Sequence, residues 1–311
     1  RSRGLGDVYK RQDRDTKNWE TEWLLTVDCP AGNAVINDIA IRPDGGLVVG
    51  GTFFNVASLE RSQQQPLVLN GNGQTSFLAL ARPTGEWLSA QSIRGMELRS
   101  LAIDDEGSIF VTGSGVLARR YDADFQEIWN IPEPADELSA EYIAVGNGRT
   151  QPFVYVQGTL GQGADDEDVF VLQLGKESGN QLWNIEISSG DTPTPGQERA
   201  GGIGVGPRGV VRAAVSSNGF DLAADDVLLK DTPTTPARHG HLLFLDPDEG
   251  RLRNDRLLGA STEQGGVMDT YNLDIDYAGN TYVAIGFTGS YSFKGVVPVS
   301  YTHLRAHETD R

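Results

Sequence analysis

One unit recurs along the chain, and recurrence at this spacing constrains the fold more than any single motif. Five segments share an apolar run, a glycine-containing turn and a second apolar run. They are IAIRPDGGLVVGG from Ile39, LAIDDEGSIFVTG from Leu101, IAVGNGRTQPFVYVQG from Ile143, IGVGPRGVVRAAV from Ile203 and LDIDYAGNTYVAIG from Leu273. Between them lies a second pair of runs: SFLALARPTGEWLSA from Ser76, GVLARRYDADFQEIWN from Gly115, VFVLQLGKESGNQLWN from Val169 and HLLFLDPDEGRLRNDRLL from His241. We label the four runs A to D. Each is 4 to 7 residues, rich in Val, Ile, Leu and Phe, which is strand length and too short for a helix. The turns carry Asp-Gly, Glu-Gly, Ala-Gly-Asn and Ser-Gly-Asn, where Gly or Asn supplies the positive φ of a tight hairpin. A–B and C–D are therefore antiparallel hairpins. Runs such as FVYV from Phe153 and HLLFL from His241 are apolar nearly throughout, as suits sheets covered on both faces. A ring of four-stranded sheets stacked face to face gives that cover, so the expected fold is all-β, a β-propeller of four-stranded antiparallel blades.

The A runs begin at 39, 101, 143, 203 and 273, and spacing beyond the shortest interval is loop insertion. In chain order the body runs D, then A to D four times, then A and B: about four and a half blades, as in a fragment of a ring of six to eight. The alternative is a five-bladed ring in which the N-terminal D run joins the C-terminal A and B. Trp23, Trp87, Trp129 and Trp183 lie in the D runs, with Arg253 at that place in the last copy. Large rings at one repeat position are expected to pack blade against blade.

The two ends stand apart. Residues 1–12 and 299–311 resemble adapter read-through and are expected to be non-native peptide, leaving 13–298 as the partial propeller. His303 and His307, four apart, fall in that tail and are not expected to bind metal. Without the ends the formal charge moves from −17 to −20. So acidic a chain is a poor partner for nucleic acid, which is held by clustered Lys and Arg. No run of 18 apolar residues occurs, and no membrane insertion is expected. Cys29 is the single cysteine and can form no internal disulfide.

Taken together, the apolar "FVxxL" strand, the turn near Gly, the Trp strand and "IAxDxxGxxxVxG" resemble the SBBP family of bacterial β-propeller repeats over about residues 19 to 293. DTPTTPARHGHLLFLDPDEGRL from Asp231 is the most specific stretch. Gly146 and Gly206 replace an expected Asp, and Ala123 to Gln126 lacks the turn glycine. The resemblance implies a secreted or cell-surface bacterial protein of large modular kind, its signal segment lost upstream, and transfers no catalytic residue.

A–B and C–D turns emerge on one side of such a disc, B–C and D–A connections on the other. The second set is long: Thr52 to Thr75, Thr159 to Asp168, Ser188 to Ala200, Ser216 to Arg238 and Ala260 to Thr270. Binding favours long loops on a rigid frame, so the ligand is expected there. That face carries acid at Asp165, Asp166, Glu167 and Asp168, and again at Asp221, Asp225, Asp226 and Asp231. Calcium, which takes hard oxygen ligands, could use Asp165, Asp166 and Asp168, although the spacing matches no EF-hand; no other cofactor is expected. His239 and His241 suit a strand-edge pair better than a zinc site. GGIGVG from Gly201 fails the dinucleotide pattern at its last glycine. No G-x-S-x-G occurs, and carboxylates are too many for spacing to select a hydrolytic pair. The expectation is a non-catalytic interaction or adhesion module for a protein or glycan. The alternatives are a quinoprotein-type propeller oxidoreductase, on the strength of LALARPTGEW and VLQLGKESGNQLW, and a purely structural spacer.

Overall fold

The computed structural model describes residues 8–12, 19–30, 32–61, 64–134, 138–146, 151–161, 167–189, 197–219, 221–225, 227–230, 237–261, 266–289 and 291–292. All regular structure among them is β-strand. The chain begins with the hairpin β1 (Val8–Gln12) and β2 (Trp19–Leu24), followed by the short β3 (Val27–Asp28). Blade I is β4 (Ala34–Ile41), β5 (Leu47–Leu59), β6 (Leu67–Ala81) and β7 (Trp87–Ile93). Blade II is β8 (Glu97–Ile103), β9 (Ile109–Ser114), β10 (Val116–Tyr121) and β11 (Glu127–Pro132). Blade III is β12 (Leu138–Val145), β13 (Phe153–Leu160), β14 (Asp168–Gly175) and β15 (Gln181–Ser188).

Blade IV opens with β16 (Glu198–Val205) and β17 (Val211–Ser217). Its chain then detours through β18 (Ala223–Ala224) and β19 (Val227–Leu228), which extend the outer edge of blade III, before β20 (His239–Leu245) and β21 (Leu252–Ser261) complete it. A two-stranded fifth unit follows, β22 (Val267–Ile275) with β23 (Thr281–Thr288), and β24 (Tyr291–Ser292) returns to pair with β21. Four full blades and an A–B half-blade make this a β-propeller. Each of the four full blades runs A-B-C-D in order, neighbouring strands antiparallel. Residues 299–311 lie outside the described residues, whereas Val8–Gln12 of the other terminal segment pairs with β2.

The core lies between blades rather than within any one of them. One cluster joins blade III to blade IV through Val169, Val171, Ile185, Val211, Ala213 and Leu243, and another joins II to III through Phe110, Ala118, Val154, Val156 and Phe170. Continuously apolar strands are what such double cover requires. Blade V adds only a small cluster, Leu273 with Ala214, Leu242 and Leu258, and strand β23 is half-exposed where the other B strands are mostly buried.

On the turn face a repeated joint links neighbours. Trp129 Nε1 donates to Lys176 O at 3.0 Å, Trp183 Nε1 to Pro247 O at 3.1 Å and Trp23 Nε1 to Pro83 O at 3.0 Å, each reaching the C–D turn of the following blade. A glycine of that turn lies against the ring: a Cβ on Gly179 would come 3.2 Å from Trp129, and one on Gly250 2.7 Å from Trp183. Both glycines have φ near +70°, so the turn and the close approach demand the same residue. Trp87 breaks the pattern. The pairing Ala81↔Trp87 sets it two residues before the Trp129 and Trp183 register, leaving Ser89 at that position. Trp87 is buried among Leu25, Val27 and Phe53, and its Nε1 donates back to Thr26 O. Blade II's turn has Phe125 at φ 62° in place of glycine, buried in the blade I–II cluster with Leu80 and Tyr121. Where the forward indole is missing, the glycine it would need is missing too. In blade IV the register puts Asn254, not Arg253, at the Trp183 position.

Candidate functional site at the channel mouth

Each A strand carries a bulge at the same point, where one residue is left out of the ladder. The register skips Asn37 in β4, Arg99 in β8, Glu141 in β12 and Tyr271 in β22, and in β16 Gly201 and Gly202 oppose Ala214 alone. A bulge re-aims side chains that strict alternation would send elsewhere. Here it lines a central cavity of about 630 Å³ with Asn37, Asp38, Arg99, Ser100, Glu141 and Tyr142, joined by Thr159, Glu167, Tyr271 and Asn272. Thr159 and Glu167 flank the B–C connection of blade III, so the cavity opens on the face of the B–C and D–A connections. A smaller adjoining cavity of about 340 Å³ shares Glu141, Glu167 and Tyr271 and adds Arg199 and Asp269. Gly201 and Gly202 lie in their bulge because β22 passes there: a Cβ on Gly202 would come 2.5 Å from Leu273 N, and one on Gly201 would collide with Thr270. Close packing of strands, with no helix following, explains the GGIGVG glycines.

In blades I and II the residue after the skipped position ties its blade to the next. Asp38 Oδ2 accepts from Ser100 Oγ and from Leu101 N, both at 2.8 Å. Ser100 Oγ in turn accepts from Ile143 N at 3.4 Å. Between blades III and IV the buried Gln157 does this work, accepting from Gly202 N at 3.0 Å and donating to Ala214 O at 2.8 Å. Tyr142 Oη spans the channel and donates to Tyr271 O at 2.8 Å. Burial holds the Tyr142 hydroxyl up at about 12, with Glu141 adding to the shift. Burial also raises the Asp38 carboxyl, against hydrogen bonds from Leu101, Ser100 and Ile39 and with Asp274 adding repulsion. Glu141 is raised likewise by burial and Glu167, offset by Arg99 and the Thr159 hydroxyl.

Charges at the mouth are largely matched. Asp269 receives Arg238 at 2.8 Å and Arg199 at 3.8 Å. Arg99 donates to Ser139 Oγ and to Ala140 O. No protein-family model and no curated protein matches the chain. Among solved structures it is similar to the WD40 β-propeller domain of Doa1, at 10% identity over 94% of this chain and 88% of that one, TM-score 0.43. It is similar also to the Dos1 propeller, at 11% identity over 89% of this chain and 58% of that one, TM-score 0.44.

The acidic residues singled out in the sequence separate in space. Glu167 lines the cavity, and Asp168 starts β14 beside it. Asp221 and Asp225 belong to the insert on the outer edge of blade III, where the Asp225 carboxylate accepts from Glu186 N at 3.2 Å. Asp165, Asp166, Asp226 and Asp231 lie outside the described residues. Among the described residues no group of three His, Cys, Asp or Glu is placed to hold a metal ion. His239 and His241 are both buried in β20 with ring centroids 5.1 Å apart, remote from the cavity lining. The segment Ser216 to Arg238, expected as an open loop, instead buries Leu222, Ala224 and Leu229 in the blade III–IV core.

Sequence reasoning missed the bulge residues, yet a signal was present. Each pair at the mouth immediately precedes an A run: Asn37-Asp38, Arg99-Ser100, Glu141-Tyr142, Gly201-Gly202 and Tyr271-Asn272. Carrying the repeat alignment two residues back would have found them.

Proposed function

We propose that the chain is a non-catalytic interaction module that meets its ligand at the channel mouth. The observation that carries this reading is the common bulge, which places a different polar or aromatic residue from blade after blade around one cavity. A constant backbone device with a varied side chain builds a recognition surface. The Asp38 carboxylate is engaged by blade II, and no His or Cys is among the residues lining the cavity. Kinship with SBBP-type repeats and a place outside a bacterial cell belong to the same proposal, supported by the repeat pattern. Calcium held by Asp165, Asp166 and Asp168 is a further part, tested by calorimetric titration with millimolar calcium. The main test is an array of glycans and immobilised extracellular proteins, probed with the wild type and with Arg99→Ala/Glu141→Ala. Signals lost in the double variant and kept in Arg251→Ala, on the opposite face, support the proposal; signals indifferent to the mouth substitutions, or none at all, favour a structural spacer.

A further inference from the structure

We propose that the mouth binds a pyranose ring of an uncharged oligosaccharide, stacked on Tyr271 and hydrogen-bonded by Asn37, Arg99 and Glu141. This rests on the interaction-module reading above and adds the class of ligand.

The platform is built, not incidental. Tyr271 sits at the bulge of β22 with 58% of its surface exposed. Its ring lies close against Gly286 of the neighbouring strand, where a Cβ would come 2.7 Å from Cε2 and 3.3 Å from the hydroxyl. The Tyr142 hydroxyl holds its backbone from across the channel. A large aromatic surface so fixed and left open to a cavity suits a ligand with a flat face of C–H groups and a polar rim.

The surrounding groups supply that rim. Asn37 donates to Leu98 O and keeps its side-chain carbonyl as an acceptor. Arg99 commits one terminal nitrogen to Ser139 and Ala140, and its guanidinium has further donors. Glu141 engages one carboxylate oxygen with the Thr159 hydroxyl at 3.3 Å. Donors and acceptors thus alternate around the ring. Charge argues against an ionic ligand: Asp269 is matched by Arg199 and Arg238, Glu141 faces Arg99, and Asp38 is occupied within the fold. Among the described residues Glu167 is the one lining carboxylate without such a match, so an ion would meet a single anchor, whereas hydroxyl groups exchange water for paired donors and acceptors.

The test uses the full chain. Short cello-, malto-, manno- and xylo-oligosaccharides are screened by saturation-transfer NMR and calorimetry, with an oligolysine peptide as a parallel arm. Expected are saturation of one saccharide series, weakening of about ten-fold or more in Tyr271→Ala, and retention within about two-fold in Tyr271→Phe, since stacking survives loss of the hydroxyl. Gly286→Val, which displaces the ring, also weakens binding, while Tyr277→Ala on the turn face leaves it unchanged. Saccharide binding indifferent to Tyr271→Ala, or lost equally in Tyr271→Phe, overturns the stacked site. Silence from every saccharide with oligolysine bound and released by Glu141→Gln overturns the saccharide while the interaction module stands. Silence in both arms and on the arrays ends both.

Discussion

The two faces of the disc follow opposite rules. On the turn face the side chain is the constant: Trp23, Trp129 and Trp183 each donate to a carbonyl of the next blade's turn, against a glycine. At the mouth the backbone is the constant and the side chain changes, through Asn37, Arg99, Glu141, Gly201 and Tyr271 at one bulge. A joint made by a side chain forbids variation at that position. One made by the backbone leaves it open, and recognition can diverge there without disturbing the stack.

The sharpest way to break the turn face is at its buried ion pair. Lys176 Nζ lies 3.1 Å from Asp104 Oδ2, both side chains almost fully buried, joining blade III to blade II. Lys176→Ala leaves Asp104 without its cation and is expected to cost about 3–5 kcal/mol in chemical denaturation. A second large effect lies near the mouth, between blades III and IV. Burial lifts the Glu198 carboxyl to about 7, although the Ser217 hydroxyl donates to it at 2.5 Å. The folded state therefore holds a proton that the unfolded chain releases near 4.5. Stability is greatest below that point and declines as pH rises toward 7. Glu198→Gln should remove this slope and gain roughly 3 kcal/mol at pH 8 as an upper bound, read from melting curves at pH 5 and pH 8.

Smaller effects sharpen the contrast. Gly179→Ala forces a Cβ into positive φ and against Trp129, and should lose about 1–2 kcal/mol with altered indole fluorescence. Tyr271→Ala at the mouth should cost no more than about 1 kcal/mol, because the ring is largely exposed. Equal losses at the two positions in thermal denaturation would erase the distinction between the faces.

The blades were legible because local turn chemistry and apolar runs coincide with them: the A runs from Ile39, Leu101, Ile143, Ile203 and Leu273 fall in β4, β8, β12, β16 and β22. What escaped was register. A bulge changes pairing by one residue without altering composition, so nothing in Arg99 or Glu141 alone announces that it faces the channel. Aligning on tryptophan likewise misplaced Trp87 by two, since the C–D turn, not the indole, sets the frame. The insert after Ser217 looked like a loop for its Asp and Pro residues, but Leu222, Ala224 and Leu229 are apolar enough to fold down on blade III.

The forward reach of the indoles gives the molecule a direction. A blade made first holds out a ring that stays uncovered until the following turn arrives, so growth from the N-terminus is seeded by what has already formed. Blade IV has Asn254 in that register, an exposed polar group at the place where blades II and III hold out an indole. Indole emission should consequently count blades as they settle, blue-shifting stepwise as Trp129 and then Trp183 become enclosed.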